Sequence, residues 1–295
     1  MHPAPSVIIF STLSGAGFGL LFFLGVGLPE TRGLIAFTFY LIAYLLACGG
    51  LFSAFFHLRN KKNAWRSYSQ WRTSWLSREA WAAVAALLTM GAFAIGQIFF
   101  GVTLAPLGWL GAAFSIATVL TTAMIYAQLR AVPRWNQWAT PAVFLISALA
   151  GGALLSGTLR VASILLMALG FLVAWHWWKG DRRLAESGST IATATRLPGH
   201  VGVWERGHTN ETYVTREMVF RIARRHAVKL RIIALTLMAI LPVLVLLAGG
   251  PHHLPAALAV LSHLAGVAVQ RWLFFAEAEH VVGLYYGAGE ARAQG

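Results

Sequence analysis

Apolar runs of about twenty residues recur along this chain, the length a helix needs to cross the roughly 30 Å hydrocarbon core of a bilayer. Eight such runs stand out, at residues 6–28, 33–57, 79–101, 106–129, 139–157, 160–178, 230–249 and 254–276. Hydrocarbon offers no partner to a backbone N–H or C=O, so each run must close its own hydrogen bonds as a helix. The pattern predicts an all-α fold: a polytopic membrane helix bundle with about eight transmembrane helices, forming one membrane domain over residues 1–295. Composition agrees, since 58% of the residues are hydrophobic and 11% charged, far from the balance that keeps a soluble domain dispersed.

The first run is longer than the core of a signal peptide, and Met1 to Pro5 carry no Lys or Arg, so it is read as a retained span. Within it Ser11, Gly15 and Gly19 recur every four residues, a spacing that lets another helix approach closely. The pairs Gly49-Gly50 and Gly151-Gly152 suit packing or kinks in the same way.

A net charge of +13 raises the question of nucleic acid, but the basic residues cluster between apolar runs and no nucleic-acid reading module is present. Nineteen of the 23 Lys and Arg lie in the 58–78, 130–138 and 179–229 connections and the start of the seventh run. With eight spans these connections share one side with both termini, and the positive-inside rule places that side in the cytoplasm. Residues 187–213 are polar and irregular. The 179–229 loop ends in a basic amphipathic stretch near 215–229, with Thr215 at its cap position, suited to lipid headgroups or to an acidic partner.

The single cysteine, Cys48, excludes a disulfide framework, a cysteine-ligated iron–sulfur cluster and a CxxCH haem attachment within the chain. Two histidines, His57 and His176, fall near the basic face and form one possible haem pair. His263 lies mid-span without a transmembrane histidine at its depth, and suits an imidazole bonded to a neighbouring backbone.

Chemistry-bearing residues gather where the second and third runs meet the basic face: His57, Glu79, Arg72 and Trp75, with Trp71 between them. A quinol head group fits this set. Its oxidation releases two protons and two electrons, its hydroxyls need acceptors such as imidazole and carboxylate, and its ring needs aromatic walls. Plainer readings stand beside it. Glu79 behind Ser77 resembles a first-turn acid answering the helix dipole, and Trp65, Trp71, Trp75 and Trp81 resemble an interfacial belt. Arg271, Glu277, Glu279 and His280 crowd the end of the last run, as Pro133 to Trp138 do before the fifth, and each group either lines the same site or ties loops together.

The chain resembles the anchor subunit of dimethyl sulfoxide reductase, the DmsC-type membrane family. The residues that carry the likeness are His57-Leu58, Ala64-Trp65-Arg66 and Arg72-Thr73-Ser74-Trp75-Leu76-Ser77-Arg78-Glu79, then Val132-Pro133-Arg134-Trp135 and Trp138-Ala139-Thr140-Pro141. The 179–229 loop is longer and more basic than the family pattern. The resemblance implies a bacterial inner-membrane protein without haem that binds menaquinol or ubiquinol. It also implies that His57 and Glu79 take part in quinol oxidation, and that the catalytic centre for the terminal substrate lies in other subunits. Those partners are an iron–sulfur ferredoxin-like subunit and a molybdopterin catalytic subunit, which hold the clusters and the molybdenum cofactor in anaerobic respiration. Arg59, Lys61, Lys62 and Arg66 form the basic face on which the iron–sulfur partner is expected to dock. Family members are usually drawn with exported partners, which sits uneasily with a cytoplasmic basic face. A haem b cytochrome subunit and a small-solute transporter are the alternatives, although deep charges and broken repeats expected of a transporter are scarce.

Overall fold

The structure, a computed structural model, describes residues 3–57, 60–199, 201–202, 226–249 and 252–286. It is an all-α helix bundle, as the apolar runs demand. The spans are α1 (Pro5–Gly25), α2 (Gly33–Ala54), α3 (Trp75–Phe99), α4 (Ala105–Ala127), α5 (Ala139–Leu155), α6 (Leu159–Glu186), α7 (Ala227–Gly249) and α8 (His253–Ala276). Seven are long and apolar enough to cross a membrane, and α5 is a shorter apolar helix.

Helix α1 is the axis of the bundle. Two-thirds of its apolar stretch is buried, against 28% for α2, α6 and α7, and it packs on α2, α4, α5 and α8. Small residues permit this. A Cβ on Gly19 would overlap the backbone of Ala148, and one on Gly152 the backbone of Gly19, so α1 and α5 meet main chain to main chain. One core layer gathers α1 to α4 around Phe18, Leu21, Leu24, Met90 and Phe93. A second joins α5 to α8 around Leu166, Leu169, Met238 and Leu273.

Helix α7 contains one π-helical turn, Thr236–Ile240, followed by Pro242. Proline has no N–H to close the ladder, and the wide turn shifts the register, so carbonyls at 237 and 238 lose helical donors. Helix α8 supplies replacements: the Ser262 hydroxyl donates to Leu237 O at 2.7 Å, and His263 Nδ1 to Met238 O at 2.8 Å. A carbonyl only accepts, so Nδ1 carries the proton. His263 thus has the plain role of repairing a broken helix inside lipid.

Helix α3 starts at Trp75 with Ser74 at the cap position, four residues before the apolar run. Glu79 is therefore its fifth residue rather than a first-turn acid, and Ser77 lies inside the helix rather than capping it. The Ser77 hydroxyl donates to Ser67 O and accepts from the Gln70 N–H at 3.3 Å, pinning the preceding loop to α3. Helix α6 runs past residue 178 to Glu186. Its 28 residues measure about 42 Å, more than the hydrocarbon thickness, and a Lys179–Glu186 ion pair at 2.8 Å supports the extra turns. Most of the stretch expected to form the amphipathic helix lies outside the described residues, and α7 is described from Ala227.

Candidate functional site at the basic end

Glu79 lies about 6 Å along α3 from its start, on the face turned into the bundle, with 4% of its surface exposed. Burying a carboxyl group is costly without hydrogen bonds. Thr122 of α4 supplies one, its Oγ1 meeting Glu79 Oε1. Thr122 and Arg271 each lie five residues before their helix ends, Ala127 and Ala276, so the three side chains sit at a common depth below the basic face. Tyr126, one turn beyond Thr122, lies within electrostatic reach of both Glu79 and Arg271.

An aromatic cluster roofs this layer. Trp135 stacks on Phe274 with centroids 5.2 Å apart, and Tyr126 meets Trp135, Phe144, Phe274 and Phe275 at 5.3 to 5.9 Å. Trp135 is buried, and its indole N–H donates to Phe274 O at 2.8 Å, so the 130–138 loop is part of the core. Beneath lies a cavity between α1, α4, α5 and α8, whose polar lining includes Ser11, Thr12, Ser14, Thr122, His263 and Arg271.

Above the cluster, four charges join three helices to the 130–138 loop. Arg134 pairs with Asp181 and, at 3.3 Å, with Glu277. Arg231 binds Asp181 through Nη1 and Nη2 at 2.8 and 2.7 Å, and Glu277 through Nε at 2.8 Å. Val281 N–H donates to Ala131 O at 2.9 Å, bringing the C-terminal segment to the same end. Of the two readings open for Glu277, the tie between loops is the one observed. His176 is buried beside this network. Its Nε2 lies 3.3 Å from Thr140 Oγ1, which already donates to Trp135 O at 2.7 Å, so Nε2 is the donor.

The remaining residues of the quinol set are placed differently. Arg72 is exposed, its guanidinium 5.4 Å from the Trp71 ring, and its carbonyl accepts from Arg78 at 2.7 Å. Trp75 is covered by Arg78 at 4.3 Å. Neither makes a hydrogen bond or ion pair with Glu79. His57 closes a 3₁₀ turn, Phe55–His57, at the end of α2, and its side chain lies outside the described residues, as does all of Arg59. Lys61, Lys62 and Arg66 are exposed on the 3₁₀ helix Lys61–Tyr68, with Lys61 over the Phe55 and Phe56 rings at 5.7 and 5.4 Å. Trp81 donates to Tyr68 O at 3.0 Å, holding that basic helix against α3. Among the described residues no group of three or more His, Cys, Asp or Glu could hold a metal ion.

Sequence spacing pointed to Glu79 but not to Thr122 or Tyr126. A threonine in an apolar run carries no mark of the helix it faces. Arg271 did carry one, a charge five residues inside a membrane helix.

Among the described residues, an apolar eight-helix bundle whose buried charges gather at one basic end defines an integral membrane protein. The chain matches the DMSO reductase anchor subunit (DmsC) family over residues 1–287 and belongs to that family. It is 32% identical over 326 aligned positions to a subunit of the sulfite dehydrogenase of Allochromatium vinosum, covering 97% of this chain and 99% of that protein. No solved structure matches the chain.

Proposed function

We propose that the chain is the quinol-oxidising membrane anchor of a molybdopterin oxidoreductase complex in a bacterial inner membrane. The observation that carries this reading is Glu79: a buried carboxyl, within about 6 Å of a helix start on the basic end, held by one threonine. A carboxyl kept at that depth is costly, and proton exchange with a lipid-soluble donor gives it a reason to be there. Family membership supports the assignment, and the family resemblance supplies the pairing of Glu79 with His57.

In the proposed reaction, menaquinol or ubiquinol gives up two O–H protons, one to the Glu79 carboxylate and one to the His57 imidazole. Its two electrons pass to an iron–sulfur subunit docked on the exposed Lys61, Lys62 and Arg66 face, with Arg59 alongside in sequence. Basic residues there complement an acidic partner surface and steer its approach. A molybdopterin subunit beyond consumes the electrons in anaerobic respiration. The positive-inside rule puts this end, and both termini, in the cytoplasm. Arg72 on the loop surface and Trp75 at the start of α3 are suited to guiding the quinol rather than to taking its protons.

The test separates two activities of the assembled complex. His57→Ala or Glu79→Gln should lower quinol-linked turnover by about 100-fold or more, with dye-linked turnover and membrane attachment retained. Unchanged quinol-linked turnover in both variants rejects the assignment. Alkaline phosphatase fused within the 179–229 loop should be inactive, and high activity there reverses the orientation.

A further inference from the structure

Arg271 poses the sharpest charge problem in the bundle. It is 1% exposed, no carboxylate among the described residues pairs with it, and its buried Nε and Nη1 have no hydrogen-bond partner. Its guanidinium carbon lies 3.4 Å from the centre of the Phe144 ring, a contact that recovers only part of the solvation a buried cation gives up.

The cavity beside it shows what completes its shell. Hydroxyls of Ser11, Ser14, Ser147 and Thr122 line that cavity, and each lies within reach of a carbonyl one turn back in its own helix, at 2.9, 2.7, 2.6 and 2.9 Å. A hydroxyl has one proton. Once that proton is donated backwards, only lone pairs remain to face the cavity. Thr12, also on the lining, has no partner for its hydroxyl. Water matches this lining, because it accepts from the guanidinium and from Thr12 and donates to oxygens of the other four hydroxyls, whereas an anion would meet their lone pairs. There is room for about one ordered water.

Thr122 links this space to Glu79. Its single proton has two acceptors, Thr118 O and Glu79 Oε1. With Glu79 ionised, the hydroxyl points at the carboxylate. With Glu79 protonated, the carboxyl donates to Thr122 and the hydroxyl turns to Thr118. The contact survives in both states.

We propose that Arg271 is a positioning residue for Glu79, stabilising its carboxylate form through a water held in this cavity and through the Thr122 hydroxyl. This rests on Glu79 being the quinol's proton acceptor. The titratable groups nearby are Tyr126 on α4, His263 on α8, tied to Met238 O, and His176 on α6, within electrostatic reach of Arg271 and 6.0 Å from the Phe274 ring. Tyr40 and Tyr44 of α2 are bonded to Gln97 and to Leu87 O further along α3. Arg271 is the permanent charge among these groups. When a quinol O–H breaks, its proton forms an O–H on Glu79, the Thr122 hydroxyl turns to Thr118, and the electron leaves for the iron–sulfur partner. Arg271, left with no neighbouring anion, then favours release of that proton.

The experiment uses the full chain with its partner subunits in lipid nanodiscs. Infrared spectroscopy reads protonated Glu79 as a carboxylic-acid carbonyl band that Glu79→Gln removes. Arg271→Met should strengthen this band at neutral pH and move the acid limb of quinol-linked turnover to higher pH by about one unit. Arg271→Lys should restore both readouts. Thr122→Val should reproduce the Arg271→Met band, and the double variant should add nothing to it. An unchanged band in Arg271→Met or in Thr122→Val overturns the proposal, as does a band that persists in Glu79→Gln. Absence of quinol turnover in the unmodified complex instead rejects the quinol reading, and the infrared result still decides whether Arg271 sets the charge of Glu79.

Discussion

Replacing Glu277 by glutamine should destabilise the bundle more than replacing Asp181 by asparagine, although both acids hold the same two arginines. The Glu277 side chain is 4% exposed and that of Asp181 is 45%. Removing one partner from a buried pair leaves an uncompensated charge, at a cost of about 3–5 kcal/mol. Asp181 would still neutralise one guanidinium, so Glu277→Gln should fall near the lower end, about 3 kcal/mol. Asp181 is half in solvent, where screening reduces an ion pair to about 1 kcal/mol or less. Midpoints of unfolding in mixed micelles, measured on both variants, give the ordering. Pairing each with Arg231→Met closes a double-mutant cycle, and the Glu277–Arg231 coupling should be the larger, since contacting groups couple by about 0.5–3 kcal/mol. Equal losses for the two acids, or a Glu277 coupling near zero, would refute the argument that burial decides which of these contacts holds the loops together.

Two further outcomes follow from local geometry. His263→Ala should lose about 1–3 kcal/mol by leaving the Met238 carbonyl without its donor, and adding Pro242→Ala, which restores a backbone N–H, should recover part of that loss. Unfolding midpoints of the single and double variants check this, and strict additivity would count against it. At the C-terminal end, the Val282 N–H donates to His280 Nδ1 at 3.0 Å, which requires that nitrogen unprotonated, and burial holds this imidazole below its ordinary value. Because the folded value is the depressed one, the contact contributes above the unfolded imidazole value and is lost as pH falls through the folded one. The protection of the Val282 amide, its exchange rate referred to the intrinsic rate at each pH, should fall on acidification in the wild type and show no such step in His280→Asn.

The helices were legible because a bilayer leaves an apolar run of this length only one conformation. Their ends were less so. The start of α3 at Trp75 was missed because Ser77 and Arg78 interrupt the apolar run, although a helix tolerates both where it leaves the membrane. The residues Ser11, Gly15 and Gly19 suggested a packing seam, and Gly19 does lie against α5. Ser11, however, lines the cavity. Which face of α1 meets which helix depends on its being the axis of the bundle, and that follows from all the helices together. Pairings such as Thr122 with Glu79, or Arg231 with Asp181, join residues 43 and 50 positions apart. They depend on helix rotation, which a hydrophobic run does not encode. His263 was more nearly readable, since Pro242 announces a broken ladder and α8 begins four residues after α7 ends.

The distribution of buried charge bears on how such a subunit works. Glu79, Arg271, and the Arg134, Asp181, Arg231 and Glu277 network all lie toward the basic end, with Trp135 and its aromatic neighbours between them. Toward the other end, α1 and α5 meet through glycine and alanine, a contact with little to titrate and little room to move. A proton taken up by Glu79 therefore has a short path of about 6 Å back along α3 to the basic end and a long apolar one to the opposite side. On the proposed reading, protons and electrons leave the quinol toward the same end, so its oxidation moves no charge across the bilayer. If the complex in sealed vesicles generated a membrane potential during quinol oxidation, the proton would have to travel the long way, and Glu79 could not be its acceptor as described.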